Sequence, residues 1–294
     1  MARRRPPTTH GLAVVDKPAG VTSHDVVGML RRRFDERQVG HAGTLDPDAT
    51  GVLLVGVGKC TRLLRFLTDL GKTYTGQVVF GSTTDSLDST GVVTATFDMA
   101  GLTAEQVQAA VTEHLVGPIL QVPPMVSAVK IDGRRLHELA REGVEVERAP
   151  RPVTVYRFEV APTEDPLVYD IEVQCSKGTY IRTLADDLGR LCGGGAHLRG
   201  LRRVAVGGFT VDGAAMPDDV ELLSLPDAVR DYPAVRVSDD TAVLVRNGRV
   251  LDRHGDTPFE GEGPWAVFAP DGSLLAMYEA HGDHHVKPAV VVAT

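Results

Sequence analysis

Blocks of apolar and polar positions follow one another along this chain with periods that predict its elements. Leu12-Ala13-Val14-Val15 is an unbroken apolar run of buried-strand length, stopped by Asp16-Lys17-Pro18-Ala19-Gly20, where proline fixes the backbone and glycine releases it. Thr22 or Ser23 then caps a helix whose apolar Val26, Val27, Leu30 and Phe34 recur at helical spacing. Arg31, Arg32 and Arg33 lie near its C-terminal end, where the helix dipole favours positive charge. Residues 39–51 read as a loop rich in Gly, Thr, Asp and Pro. An apolar strand over 52–57, a helix over 59–70 and an alternating strand over 72–80 follow, and residues 102–115 carry the stripe of an amphipathic helix.

Beyond Pro123-Pro124 the apolar pattern lapses. Residues 125–152 form a polar, charge-dense excursion that predicts a hairpin and a short helix over 136–141, an insertion over about 124–152. Strands over 153–160 and 168–175 precede a helix over 180–191, with Ile181, Leu184, Ala185, Leu188 and Leu191 on one stripe. Residues 198–211 supply a further strand or two. From about Pro233, short strands alternate with Gly, Asp and Pro turns, the mark of a small β-rich domain. The pattern therefore divides the 294 residues into an N-terminal arm (1–10), a main domain (11–232) and a small domain (233–294).

An apolar share of 43% with 24% charged residues belongs to a chain with a packed core. No apolar run has membrane-spanning length. Arg3-Arg4-Arg5-Pro6-Pro7 has no apolar segment behind it, so the start reads as a basic arm rather than a signal peptide, and the protein is expected in the cytoplasm. Cys60, Cys175 and Cys192 are odd in number and far apart, and read as buried thiols in a reducing compartment. No pair has zinc-ligand spacing, so no metal is expected. A net charge of −8 argues against a nucleic-acid partner until its distribution is counted. Residues 1–80 hold 12 Lys/Arg against 7 Asp/Glu, residues 81–209 hold 13 against 17, and residues 210–294 hold 6 against 15. The acid gathers at the C-terminal end, and the first 80 residues are basic enough to face phosphates.

The segment densest in chemistry is Gly40-His41-Ala42-Gly43-Thr44-Leu45-Asp46-Pro47-Asp48-Ala49-Thr50-Gly51. Glycines permit tight backbone there, and Pro47 keeps Asp46 out of helical geometry, so a carboxylate is held on a stiff loop. An isolated Asp-Pro pair is usually only a turn. His41-Ala42-Gly43-Thr44-Leu45-Asp46-Pro47 with Ala49-Thr50-Gly51, however, closely resembles the catalytic loop of the TruB family of tRNA pseudouridine synthases. Three further segments match in order: Lys17-Pro18-Ala19-Gly20-Val21-Thr22-Ser23, Pro123-Pro124-Met125-Val126-Ser127-Ala128-Val129-Lys130 through Leu139-Ala140-Arg141, and Ser176-Lys177-Gly178-Thr179-Tyr180-Ile181-Arg182-Thr183-Leu184. The resemblance spans roughly residues 11–210.

The resemblance implies an α+β fold, that of the pseudouridine synthases, with a mixed, mainly antiparallel central sheet, an inserted RNA-clamping arm and a small C-terminal PUA-like domain. It implies isomerisation of uridine 55 in the tRNA T-loop, with Asp46 as nucleophile and no cofactor, since neither redox change nor phosphate transfer occurs. Arg182 would pair with Asp46, Tyr74 would stack on the base and help remove the displaced proton, and Tyr180 and Leu201 would wall the pocket. His41 would fill the gap left by the extruded nucleotide, and Lys17, Lys130, Arg134 and Arg141 would contact RNA. The tRNA T-loop and stem are the expected partner, bound by a monomer without an obligatory protein partner. Ala42 and Asp48 depart from the family pattern, as do Val126 and His137, which replace tyrosines.

The residues alone leave other readings open. Asp46, Asp48, Asp85 and Asp88 have the spacing of oxygen ligands for magnesium in a phosphotransferase or nuclease, although Asp-rich loops such as residues 83–91 are commonly turns. The same RNA grip would also serve a non-catalytic chaperone, and a guide-RNA-dependent relative shares the fold.

Overall fold

A computed structural model describes residues 6–292 except 128, 129, 132, 137, 138, 140, 141, 145, 256 and 257, with the backbone alone at 130, 131 and 135. Two compact units emerge, one of Met1–Pro47, Gly51–Asp69 and Val206–Thr294, the other of Asp48–Thr50 and Leu70–Ala205.

In the first unit, strand Gly11–Lys17 lies between Leu222–Leu223 and Thr50–Val57, antiparallel to both. The run 12–15 is apolar without alternation because both faces of the strand are covered: Leu12 through Val15 are all buried. Ala13, Val15, Leu53 and Val55 pack with Val26, Val27 and Leu30 of helix Ser23–Arg33. Thr22 is the cap. Its hydroxyl accepts the Asp25 N–H (3.0 Å) while the Asp25 carboxylate accepts the Thr22 N–H (2.8 Å), which leaves Ser23 free for another task. The stretch expected as loop from residue 39 begins instead as strand Val39–Ala42, antiparallel to Thr50–Val57. Gly40 made it read as loop, yet a Cβ there would stand 3.0 Å from Leu64 Cδ1, so the glycine serves close packing. The expected helix over 59–70 is a 3-10 turn, Gly58–Leu63, running into α-helix Leu64–Asp69.

The C-terminal β-rich domain has a five-stranded sheet in the order Ala234–Arg236, Trp265–Phe268, Leu274–His281, His285–Val291, Leu251–Asp252, of which the first pair is parallel. Its core holds Phe259, Trp265 and Tyr278. The buried Trp265 Nε1 donates to Glu260 O (2.6 Å) and the Tyr278 hydroxyl to Arg249 O (2.8 Å), so both aromatic polar handles are satisfied.

In the second unit five strands are ordered Ala196–Val206, Lys72–Phe80, Val168–Cys175, Arg151–Pro162, Gly117–Gln121. Each neighbouring pair from Lys72–Phe80 onward is antiparallel. Gly117–Gln121 escaped the sequence reading because Pro118 argues against a strand; at the sheet edge its missing N–H is tolerated. Hairpin Ser82–Thr84 with Val93–Thr96 also lies in a stretch that reads as turns. Helix Ala104–Ala110, capped by Thr103, continues as a π turn over Val111–Leu115.

Helix Ile181–Leu191 buries Ile181, Leu184, Ala185 and Leu188 as its stripe predicts. Leu191 does not follow. It is exposed, and the returning chain closes instead onto Gly189, where a Cβ would stand 2.2 Å from Ala196 N. Cys60 and Cys175 are buried, but Cys192, as the residue that ends this helix, is only half-buried. The predicted short helix over 136–141 lies largely outside the described residues, although Leu136 and Leu139 are buried. Among the described residues, no helix is long and apolar enough to cross a membrane.

Candidate active site

Asp46 is half-buried between two immobilised peptide units. Before it, the Ser23 hydroxyl accepts the Leu45 N–H (2.9 Å) and donates to Leu45 O (3.1 Å), and Ser23 is 1% exposed. After it, Pro47 O accepts from the Gly20 N–H (3.0 Å) and the Lys17 ammonium (2.8 Å). Gly43, with φ +79°, makes the bend that leads into the loop. The first and second matched motifs are thus one structural piece: turn 17–23 grips the loop on both sides of its carboxylate.

Lys17 requires a correction. Expected at the RNA, it is 0% exposed, and its ammonium donates to Pro18 O (2.9 Å), Val21 O (2.7 Å) and Pro47 O (2.8 Å). A buried ammonium needs its donors matched, and three carbonyls match them. Lys17 braces the Asp46 loop. His41, also in this unit, is half-buried on strand Val39–Ala42 opposite Val55.

The second unit carries the remaining candidates. Tyr74, 8% exposed, projects from Lys72–Phe80 opposite Val173. Two residues on, Gly76 admits the next strand: a Cβ there would meet Arg199 O at 3.3 Å and Leu201 Cα at 3.6 Å. The half-buried Leu201 is thereby brought beside the Tyr74 strand, one residue after Gly200 with φ +64°.

Arg182, 4% exposed, donates through Nη1 to Ser86 O (2.8 Å) and through Nη2 to Val126 O (2.8 Å), and its Nε lies 3.7 Å from the Asp88 carboxylate. Asp88 is itself fixed by the Ser86 hydroxyl (2.7 Å) and by the N–H (3.0 Å) and hydroxyl (2.6 Å) of Thr90. A charged head anchored this way has one orientation. Tyr180, half-buried, starts the same helix. Its N–H donates to Gln121 Oε1 (2.7 Å), and its carbonyl accepts from Gln121 Nε2 (3.0 Å).

Lys130 sits on the two-residue strand Lys130–Ile131, paired with Arg134–Arg135 across Gly133. Arg134 is half-exposed and bridges to Glu142 (2.5 Å), so part of the arm's positive charge is neutralised within the arm. Arg141 lies outside the described residues. Arg148, from the same arm, donates to Pro123 O (3.1 Å).

Asp85 and Asp88 act as turn acceptors, Asp85 receiving the Val92 N–H (2.9 Å), and among the described residues no cluster of three His, Cys, Asp or Glu side chains suits a metal ion. Burial pushes the Cys60 thiol up to about 12 and that of Cys175 up to about 11, so both remain protonated at neutral pH and neither is a nucleophile. The sequence did not show the roles of Ser23, Asp88 and Gln121: Asp88 read as a candidate magnesium ligand, whereas it stands 3.7 Å from the Arg182 guanidinium. Ser23 was legible only as an alternative cap, and Gln121 carried no signal.

The TruB family pseudouridylate synthase N-terminal profile matches residues 31–181. The tRNA pseudouridylate synthase B C-terminal domain profile matches 182–233, and that of the tRNA pseudouridine synthase II C terminus matches 232–293. The chain is 43% identical to tRNA pseudouridine synthase B of Arthrobacter sp. (strain FB24) over 96% of each protein. It is 46% identical to that of Mycobacterium sp. (strain KMS), again over 96% of each. Among solved structures, a Cbf5-Nop10-Gar1 complex contains a chain that superposes with a TM-score of 0.74 at 25% identity, covering 96% of this chain and 85% of that one. An H/ACA RNP bound to a substrate RNA containing 2′-deoxyuridine gives 0.71 at 22% identity, over 97% and 85%. A match of this extent, on a chain that grips its Asp46 loop from both sides, places the protein in the TruB family of pseudouridylate synthases.

Proposed function

We propose that the protein isomerises uridine 55 in the T-loop of tRNA to pseudouridine, with Asp46 as nucleophile. The observation that carries this reading is the half-buried Asp46 held between the fixed peptides of Leu45 and Pro47. Pre-set geometry of this kind lowers the entropic part of the barrier to attack. The curated relatives' name, tRNA pseudouridine synthase B, supports the substrate class.

In this reaction the Asp46 carboxylate attacks the nucleoside, and the bond between ribose C1′ and uracil N1 breaks. The uracil turns, C5 bonds to C1′, the C5 proton is released, N1 takes up a proton in place of its bond to C1′, and the carboxylate leaves unchanged. Atoms balance without an external reactant, so no cofactor takes part. Arg182, already oriented by two carbonyls, pairs with Asp46 and keeps it ionised. Tyr74 stacks on the base and assists removal of the C5 proton, while Tyr180 and Leu201 wall the pocket. Extruding the nucleotide from the folded loop costs roughly a few kcal/mol, which His41 offsets by occupying the gap. Lys130, Arg134 and Arg141 contact the T-loop from the arm. The protein works as a cytoplasmic monomer without an obligatory protein partner.

Asp46→Asn tests the assignment. Tritium release from 5-tritiated uridine in a T-loop transcript is expected to stop while transcript binding persists. Retained turnover excludes Asp46 as nucleophile. Mass-spectrometric mapping of bulk tRNA after incubation with the purified chain alone tests both position 55 and independence from guide RNA and partner proteins.

A further inference from the structure

We propose that Gln121 is a positioning residue for the uracil pocket, acting through the backbone of Tyr180; this rests on the assignment of Tyr180 to that pocket. Gln121 is the last residue of edge strand Gly117–Gln121 and is 2% exposed. Both ends of its amide meet one residue. Oε1 accepts the Tyr180 N–H at 2.7 Å, and Nε2 donates to Tyr180 O at 3.0 Å. A primary amide in this orientation imitates a neighbouring strand's peptide and fixes both polar groups of one backbone unit.

Tyr180 needs such a clamp because the chain around it has little else. It sits at the N-cap of helix Ile181–Leu191 with extended backbone (φ −101°, ψ 108°), and its own side chain makes no capping hydrogen bond. The preceding turn contains Gly178 at φ +82°. Upstream, strand Arg151–Pro162 secures the turn, with the Ser176 N–H donating to Thr154 O (2.8 Å) and the Thr154 N–H to Ser176 Oγ (2.9 Å). Downstream, the helix begins with the Leu184 N–H donating to Tyr180 O (3.1 Å). Between those anchors the φ and ψ of Tyr180 decide where its ring points, and Gln121 holds the peptide groups on either side of them.

The segment that carries Gln121 continues into a second contact with the same helix. Five residues on, Val126 O accepts from Arg182 Nη2 at 2.8 Å. Segment 121–126, from which the inserted arm departs, therefore grips the Tyr180 backbone at one end and the Arg182 head at the other. A purely structural glutamine would stabilise the edge strand; this one sets the aim of two pocket residues.

The test uses the full chain. Gln121→Met keeps length and volume but removes donor and acceptor. Gln121→Glu keeps the oxygen that receives the Tyr180 N–H but sets a carboxylate oxygen against Tyr180 O where the donor stood, and it takes the place of Gln121→Met if that variant does not fold. The expected result is a fall of about 10- to 100-fold in the single-turnover rate at saturating tRNA, as small misplacements of reacting groups produce, with tRNA Kd within about threefold. In a Tyr180→Ala background the same Gln121 change is expected to cost less than it does alone, because the ring it positions is gone. A folded Gln121 variant with the wild-type rate overturns the proposal, as does a rate loss that is fully additive with Tyr180→Ala. If Tyr180→Ala alone leaves the rate unchanged, the pocket assignment fails instead, and the two failures are thereby separate.

Discussion

Ser23→Ala is expected to slow the chemical step without weakening tRNA binding. Ser23 is 1% exposed and Leu45 4% exposed, and one hydroxyl satisfies both peptide groups of Leu45, at 2.9 Å and 3.1 Å. Alanine leaves a buried N–H and a buried carbonyl unpaired, at about 1–3 kcal/mol each. The loop recovers part of that by shifting toward water, so a net loss of about 2–3 kcal/mol is expected. At about 2–4 °C per kcal/mol for a chain of this size class, Tm falls by roughly 4–12 °C. The same shift displaces Asp46, the next residue, and a misplacement near 1 Å costs on the order of 100-fold in rate. Single-turnover tritium release at saturating T-loop transcript, beside thermal unfolding and a transcript-binding isotherm, measures all three quantities. A lowered Tm with an undiminished rate refutes the reasoning, since the carboxylate would then hold its place without the Leu45 clamp.

Lys17→Met discriminates a loop brace from a phosphate contact: kcat is expected to fall with the salt dependence of tRNA affinity unchanged. A phosphate-bound lysine would instead reduce the slope of log K against log salt by about 1, and that result would return Lys17 to the RNA interface. For Asp187→Asn the prediction concerns pH. Burial, followed by the charge of Asp186, raises the Asp187 carboxyl above its ordinary range, against the opposing pull of Arg190. A folded-state pKa above the unfolded value contributes stability that is complete below the ordinary carboxylate pKa of about 4 and is lost as pH rises through the raised folded value. At pH 7.5 Asp187→Asn should therefore raise Tm, and at pH 3.5 the gain should vanish. Equal shifts at both pH values would show that burial of charge is not the cause.

The sequence announces an element where the period of its apolar residues matches a buried face, and hides it where backbone pairing does the work. Helix Ile181–Leu191 was legible because four apolar residues at helical spacing enter the core. Strand Val39–Ala42 was not, because glycine, histidine and alanine contribute little side-chain pattern, and what makes them a strand is the ladder to Thr50–Val57. Gly117–Gln121 was concealed by Pro118, a residue whose local meaning depends on whether the strand is central or at an edge. Edge position is a property of the sheet order, and no window of sequence contains it.

The candidate site divides along the same line. Of the side chains proposed to bear the chemistry, Asp46, Tyr180 and Arg182 stand in motifs that can be recognised by residue type, and Tyr74 stands in an alternating strand. The groups that aim them act on main-chain atoms: Ser23 on Leu45, Lys17 on Pro47, Gln121 on Tyr180. A carbonyl is present at every residue, so nothing in the composition marks the one that a distant side chain will hold. Lys17 shows the consequence most sharply. A lysine in a basic N-terminal region beside a recognised motif reads as a phosphate contact, and its charge supports that reading. Burial reverses it, because an ammonium enclosed by three carbonyls has no proton left to offer RNA. Positive charge counted along the sequence therefore overstates the surface available for RNA by every cation that the fold has turned inward, and in this chain Arg182 and Arg203, 4% and 1% exposed, belong with Lys17 in that group.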